Sequence, residues 1–131
     1  MSLSAKDKFE IQEVITRLYQ ALDAHDADGY ASCFTPDGIS TSPRGDFHGR
    51  DAIANFIKHH LQGGNEAGSL HRTTNIRVWG ETEHEAWASV EVMKIRVSVT
   101  PPVLLVSAFG TACIKKFATW QIMHYELDHR P

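Results

Sequence analysis

Two residues of this chain have the side-chain types and settings for proton chemistry: Asp23, in "YQALDAHD", and His71, in "SLHRTTNIRVW". Histidine is the side chain whose ordinary titration lies nearest neutral pH, which suits it to general acid-base work. Asp23 sits beside Leu22 at the end of a helical pattern, on the side of its apolar stripe. A carboxylate there opposes the negative end of the helix dipole, so the position needs a compensating donor. Each residue also has a plain structural reading. Asp23 can be a solvated helix end or the cap of the turn "DAHDADG", and His71 a polar residue on an edge strand.

Other candidate chemistry is weaker. Eight histidines invite a metal site, but His59 and His60 are adjacent and point about 100° apart on a helix, and no HExxH or paired Cys/His spacing occurs. His84 lies between Glu83 and Glu85 in a turn-like stretch, and His129 lies near the C-terminus. No metal site is expected. Cys33 and Cys113 belong to no CxxC or other metal-like grouping and are read as reduced, buried, small apolar residues. The "RGD" of Arg44, Gly45 and Asp46 reads as a coincidence in a turn.

The elements that must position Asp23 and His71 follow from periodicity. Ser4 with Asp7 is a capping-box variant, and Phe9, Ile11, Val14, Ile15, Leu18 and Leu22 make one broad stripe, predicting a helix from about residue 5 to about residue 24. Asp26 or Asp28 can cap a short second helix that carries Tyr30 and ends near Phe34. "TPDGISTSPRGDFHG" reads as turns around one or two short strands. "GRDAIANFIKHHLQGG" predicts a third helix, with Ile53, Phe56, Ile57, His60 and Leu61 on one side and Gly63 and Gly64 as its stop. From residue 69 onward "SLHRTTNIRVW", "EAWASVEVMKIRVSV", "VLLVSAFGTACIKKF" and "WQIMHYELDH" are four long strand candidates with short links, hence an antiparallel meander. Pro101 and Pro102 cannot continue a central ladder and mark a break. Helices ahead of a curved antiparallel sheet make an α+β fold, with the first helix closing the open face of the sheet over a pocket.

Composition sets the frame. Hydrophobic residues form 42% of the chain and charged residues 22%, which is globular composition and, at 131 residues, predicts a single domain. Thirteen basic against sixteen acidic residues, with no basic cluster beyond Lys115 and Lys116, argue against nucleic acid as a partner. No apolar run reaches the roughly 18 residues of a membrane helix, and "MSLSAKDKFEIQ" lacks the apolar core of a signal peptide, so a soluble cytoplasmic protein is expected.

The blocks "IQEVITRLYQALDAHDADGYASCFTPDG", "FHGRDAIANFI", "HRTTNIRVW" and "FGTACIKKFATWQIMHYEL", taken in order, resemble the SnoaL-like branch of the nuclear transport factor two-like superfamily across nearly the whole chain. The resemblance implies a cone-shaped α+β barrel, with three N-terminal helices packed on a curved antiparallel sheet. It also implies a dyad: in scytalone dehydratase and hexachlorocyclohexane dehydrochlorinase, an aspartate ending the first helix and a histidine opening the first long strand match Asp23 and His71 here. In such a pair the histidine is the base, and the carboxylate fixes its tautomer and stabilises the imidazolium. The implied chemistry is removal of a proton next to a carbonyl or leaving group, giving elimination, isomerisation or cyclisation with no cofactor. The chain departs from these relatives at Leu22 and Leu18, where they carry a tyrosine and a lysine, near Glu126, in place of an arginine, and near Lys94 or Ile95, in place of a second histidine.

Candidate pocket walls are Tyr19, Phe34, Met93, and His124 or Tyr125. A mostly apolar pocket suits a small hydrophobic or aromatic, polyketide-like ligand. The leading reading is a lyase or isomerase. Its rivals are a non-catalytic binding or assembly module of the same fold, and a relative of the β-subunit of ring-hydroxylating dioxygenases. An exposed sheet face predicts a homo-oligomer, a dimer ahead of a trimer.

Overall fold

In the computed structural model, which describes residues 3–130, the first helix, α1 (Ala5–Asp23), forms as the apolar stripe predicts. Its capping box is closed: the Ser4 side chain accepts from the Asp7 N–H, and the Asp7 carboxylate accepts from the Ser4 N–H. Ile11, Val14, Ile15, Leu18 and Leu22 are buried. The second helix, α2 (Ala27–Ser32), is capped by Asp26 and stops before Phe34, which instead opens β1 (Phe34–Ser42). The stretch read as turns around short strands is therefore mostly strand, paired with β2 (Gly45–His48). Its turn-forming residues Pro36, Asp37 and Gly38 are absorbed in a register shift between Phe34 and Ile39. Helix α3 (Arg50–Gln62) ends at Gly63, as its glycine stop predicts.

The long strands β3 (Ser69–Trp79), β4 (Glu85–Arg96), β5 (Val103–Lys116) and β6 (Trp120–Arg130) form the expected antiparallel meander, and the proline pair falls between β4 and β5. The six strands lie in the order β2-β1-β6-β5-β4-β3. One pairing was not foreseen: β1 lies parallel to β6, and this nonlocal contact joins the β1–β2 ribbon to the meander. The three helices pack on one face of a curved, unclosed sheet, an α+β cone. On that face Ala86, Ala88, Val90 and Val92 alternate along β4, and Ala108, Ala112 and Ile114 along β5. Among the described residues no helix is long and apolar enough to cross a membrane. Cys113 is buried and Cys33 half-buried; both are free thiols, and burial pushes both upward in pKa.

Asp7 does more than cap α1. Trp120 donates its indole N–H to Asp7 Oδ1 at 3.1 Å, and the Lys116 ammonium stands 3.3 Å from the same oxygen, so one carboxylate ties the first helix to the β5–β6 turn. The Trp120 bond first, then those from Ser4, lower the Asp7 pKa from 3.8 to about 2. A carboxyl with a lowered folded-state pKa contributes stability that is full above its unfolded pKa and is lost as pH falls toward the folded one. Urea unfolding should thus show stability falling between pH 3.8 and about 2, with a shallower fall in Asp7→Asn. Identical pH slopes in the two proteins would contradict this role.

Candidate functional site

The site is built where the C-terminal end of α1 meets the start of β3. The His71 N–H donates to both carboxylate oxygens of Asp23, at 3.1 Å each, and His71 Nδ1 lies 2.7 Å from Asp23 Oδ1. These donors supply the compensation that a carboxylate at a helix C-terminus needs. The His71 side chain is 8% exposed and that of Asp23 18%. A carboxylate can only accept, so Nδ1 carries the hydrogen and Nε2 keeps its lone pair in the neutral ring.

His71 lies on the wall of a partly open cavity of about 140 Å³ between the helices and the sheet. That volume is on the order of one six-membered ring. Leu22, Ile57, Val92, Val106 and Leu127 make much of the wall apolar. Tyr19 packs its ring against His71, with centroids 5.3 Å apart, and its hydroxyl is 2.6 Å from that of Tyr125. One hydroxyl of such a pair donates to the other, which leaves one O–H hydrogen uncommitted. Burial raises the pKa of both phenols, first among the causes, so both stay protonated and can act as donors.

Strand parity sorts the other expected wall residues. Val92 and Lys94 line the cavity, so Met93, between them on β4, belongs to the opposite face and does not. On β6 a register shift between Ile122 and His124 turns Tyr125 inward, while His124 is bonded at Nε2 to Thr41 Oγ1 at 2.9 Å and is not in the wall. Phe34 is fully buried against Tyr30, with ring centroids 5.9 Å apart, and is core. Of the seven residues singled out, the structure thus gathers Asp23, His71, Tyr19 and Tyr125 and leaves Phe34, Met93 and His124 outside.

The sequence reading passed over a second carboxylate. Glu66, 4% exposed, sits in the turn between α3 and β3, where the left-handed Gly64 and Gly68 (φ +74° and +69°) allow the chain to fold back and aim the side chain inward. Its Oε1 receives His60 Nε2 at 2.5 Å and Lys94 Nζ at 3.1 Å. Its Oε2 has no hydrogen-bond partner among the described residues and stands 3.7 Å from His71 Nε2. Arg44, from the "RGD" turn, donates to His60 Nδ1 at 2.7 Å. A guanidinium can only donate, so a neutral His60 ring carries its hydrogen on Nε2 and donates that N–H to Glu66. Burial pushes the Glu66 carboxyl up, but the His60 bond, the nearby His71 and Lys94 outweigh it and hold the group below its ordinary value. Lys94 was legible in principle, since it continues the inward alternation of Val90 and Val92. Nothing in "GGNEAGS" distinguishes Glu66 from any turn glutamate.

Among the described residues no group of three or more His, Cys, Asp or Glu side chains is arranged to hold a metal ion. A search of curated proteins finds no match. Among solved structures, a cystatin-like protein of unknown function from Nostoc punctiforme PCC 73102 superposes with a TM-score of 0.90 at 23% identity, over 100% of this chain and 96% of that one. A Catenulispora acidiphila protein in complex with S-DNPA gives 0.82 at 21% identity, covering 96% and 95%. A protein provisionally named scytalone dehydratase, from Novosphingobium aromaticivorans DSM 12444, gives 0.76 at 20% identity, covering 94% and 83%. At these identities the structures speak for the cystatin-like fold. The SnoaL-like domain model matches residues 4–126, and the chain belongs to the SnoaL-like family.

Proposed function

We propose that this protein is a cofactor-independent acid-base enzyme of lyase or isomerase type, acting on a small hydrophobic carbonyl compound held in the cone. His71 Nε2 is the general base. Asp23 orients the ring, fixes the Nδ1–H tautomer and stabilises the imidazolium that proton abstraction creates. The observation that carries this reading is the 2.7 Å bond from His71 Nδ1 to Asp23 inside the cavity wall, which leaves Nε2 free to act. The uncommitted hydroxyl hydrogen of the Tyr19–Tyr125 pair is a donor for the enolate oxygen that forms as the proton leaves. The provisionally named scytalone dehydratase and the protein in complex with S-DNPA among the structural relatives support a dehydratase-like role on a bound small molecule.

The chemistry is tested without knowing the natural substrate. Cyclohexanone in deuterium oxide, of a size that suits the cavity, should acquire deuterium next to its carbonyl faster with wild-type protein than with the His71→Gln protein. Equal rates in both, and in buffer, would refute the base.

The proposal includes a cytoplasmic homodimer. Trp79 and Trp87 are cross-strand partners with 48% and 43% exposure, and Val97, Val103, Leu104 and Leu105 are also left in water near the β4–β5 link. These are two patches, one at each end of β4, and a second copy covering either would remove apolar area from water. Light scattering on the eluting protein should give a mass near twice 14.7 kDa; the single-chain mass would contradict the dimer.

A further inference from the structure

We propose that Glu66 is the receptor for a hydrogen-bond donor on the ligand, so that the site selects a neutral, single-ring ketone bearing a hydroxyl at the carbon from which His71 removes a proton. The proposal rests on the cavity being the ligand site described above and adds to it what that ligand must carry.

Glu66 is buried and charged, yet its two oxygens are used unequally. Glu66 lines the cavity; its Oε1 takes the His60 N–H and the Lys94 ammonium, whereas its buried Oε2 takes no donor among the described residues. A buried carboxylate oxygen without a donor is costly, and a ligand hydroxyl that supplies one is correspondingly favoured. The surrounding groups keep Glu66 an acceptor. Arg44 locks His60 as the donor, and the Lys94 ammonium, which also reaches Asn65 O at 2.5 Å, offsets the negative charge. His71 Nε2 is 3.7 Å from Oε2, so adjacent groups of one small ligand can reach both: the hydroxyl on Glu66 and the neighbouring C–H on His71. Two carboxylates, Asp23 and Glu66, flank the imidazole, and this disfavours a ligand carboxylate at that end.

Glu66→Gln is an informative change. The His60 and Lys94 donors demand that the amide oxygen take the place of Oε1, which puts the amide N–H₂ where Oε2 was and turns an acceptor into a donor. Three probes separate the possibilities: 2-hydroxycyclohexanone, 2-methoxycyclohexanone and cyclohexanone, titrated by ligand-observed NMR. Wild type should bind the hydroxy ketone about tenfold or more tightly than the methoxy ketone, whose ether oxygen only accepts and faces Oε2 unfavourably. In Glu66→Gln the two should bind within about twofold of each other. Equal binding in wild type would overturn the proposal without reference to any variant, which covers the case that Glu66→Gln does not fold. A preference that persists in a folded Glu66→Gln protein would overturn it too. Deuterium exchange into cyclohexanone reads the base separately: exchange with no hydroxyl preference removes only the role of Glu66, whereas a preference without exchange keeps Glu66 as receptor and removes the acid-base reading. Failure of all three probes to bind would overturn both.

Discussion

His71→Gln should slow deuterium exchange into cyclohexanone by about a hundred to ten thousand fold, the usual contribution of one positioned general base. Glutamine can still place an amide near Asp23, so packing at the α1–β3 junction is largely kept while the titratable nitrogen is gone. Asp23→Asn should approach the same loss by a different route. The His71 N–H and Nδ1–H both point at the carboxylate, and an asparagine offers one oxygen and one N–H₂ group to those two donors. If the oxygen stays with the backbone N–H, the amide group faces Nδ1 and drives the ring hydrogen to Nε2, the atom that must be bare. Loss of the correct tautomer in an oriented histidine can cost on the order of 10⁴ in rate. Exchange rates within about twofold of wild type in both variants would show that neither residue acts in proton transfer.

Gly110→Ala should be the most damaging substitution outside the dyad. A Cβ on Gly110 would lie 2.2 Å from the Tyr125 hydroxyl oxygen and 2.7 Å and 2.8 Å from two ring carbons, so the whole ring must move. Tyr125 is 1% exposed and its hydroxyl is held against that of Tyr19, so the ring can give way only toward the cavity it lines and only by losing that contact. Forced rearrangement of this kind costs about 1–3 kcal/mol. The same movement breaks the Tyr19–Tyr125 hydroxyl contact, and losing one donor to a developing oxyanion typically costs about 10² to 10³ in rate. Tyr125→Phe separates the two effects, because it removes the hydroxyl and keeps the ring. Thermal unfolding and exchange rates should show both losses in Gly110→Ala, and mainly the rate loss in Tyr125→Phe. An unchanged melting temperature in Gly110→Ala would contradict the packing described here.

The elements that position the site were legible because their signals are local. The stripe from Ile11 to Leu22, the Ser4–Asp7 cap and the glycine stop after Gln62 bound α1 and α3, and the β-branched texture after residue 69 marks the meander. The parallel pairing of β1 with β6 was not, because it brings together residues about ninety positions apart, and no local pattern encodes it. In the site, Asp23 and His71 came from the family resemblance, with helix electrostatics supplying only the need for a donor. Which side chains line the wall was lost to parity: one register shift on β6 decides between His124 and Tyr125, and on β4 the even-numbered residues face inward, which excludes Met93. Glu66 was out of reach because its inward aim depends on two left-handed glycines, and its charge on a histidine and a lysine from other elements.

The tautomer of His71 is the most direct measure of whether it is the base that Asp23 orients. A long-range ¹H–¹⁵N spectrum of the ring nitrogens at mildly alkaline pH, assigned with the His71→Gln protein, reports which nitrogen carries the hydrogen. The geometry at Asp23 predicts a protonated Nδ1 and a bare Nε2, with the pattern changing in Asp23→Asn. A hydrogen on Nε2 in the wild-type protein, or the same spectrum in Asp23→Asn, would contradict the dyad.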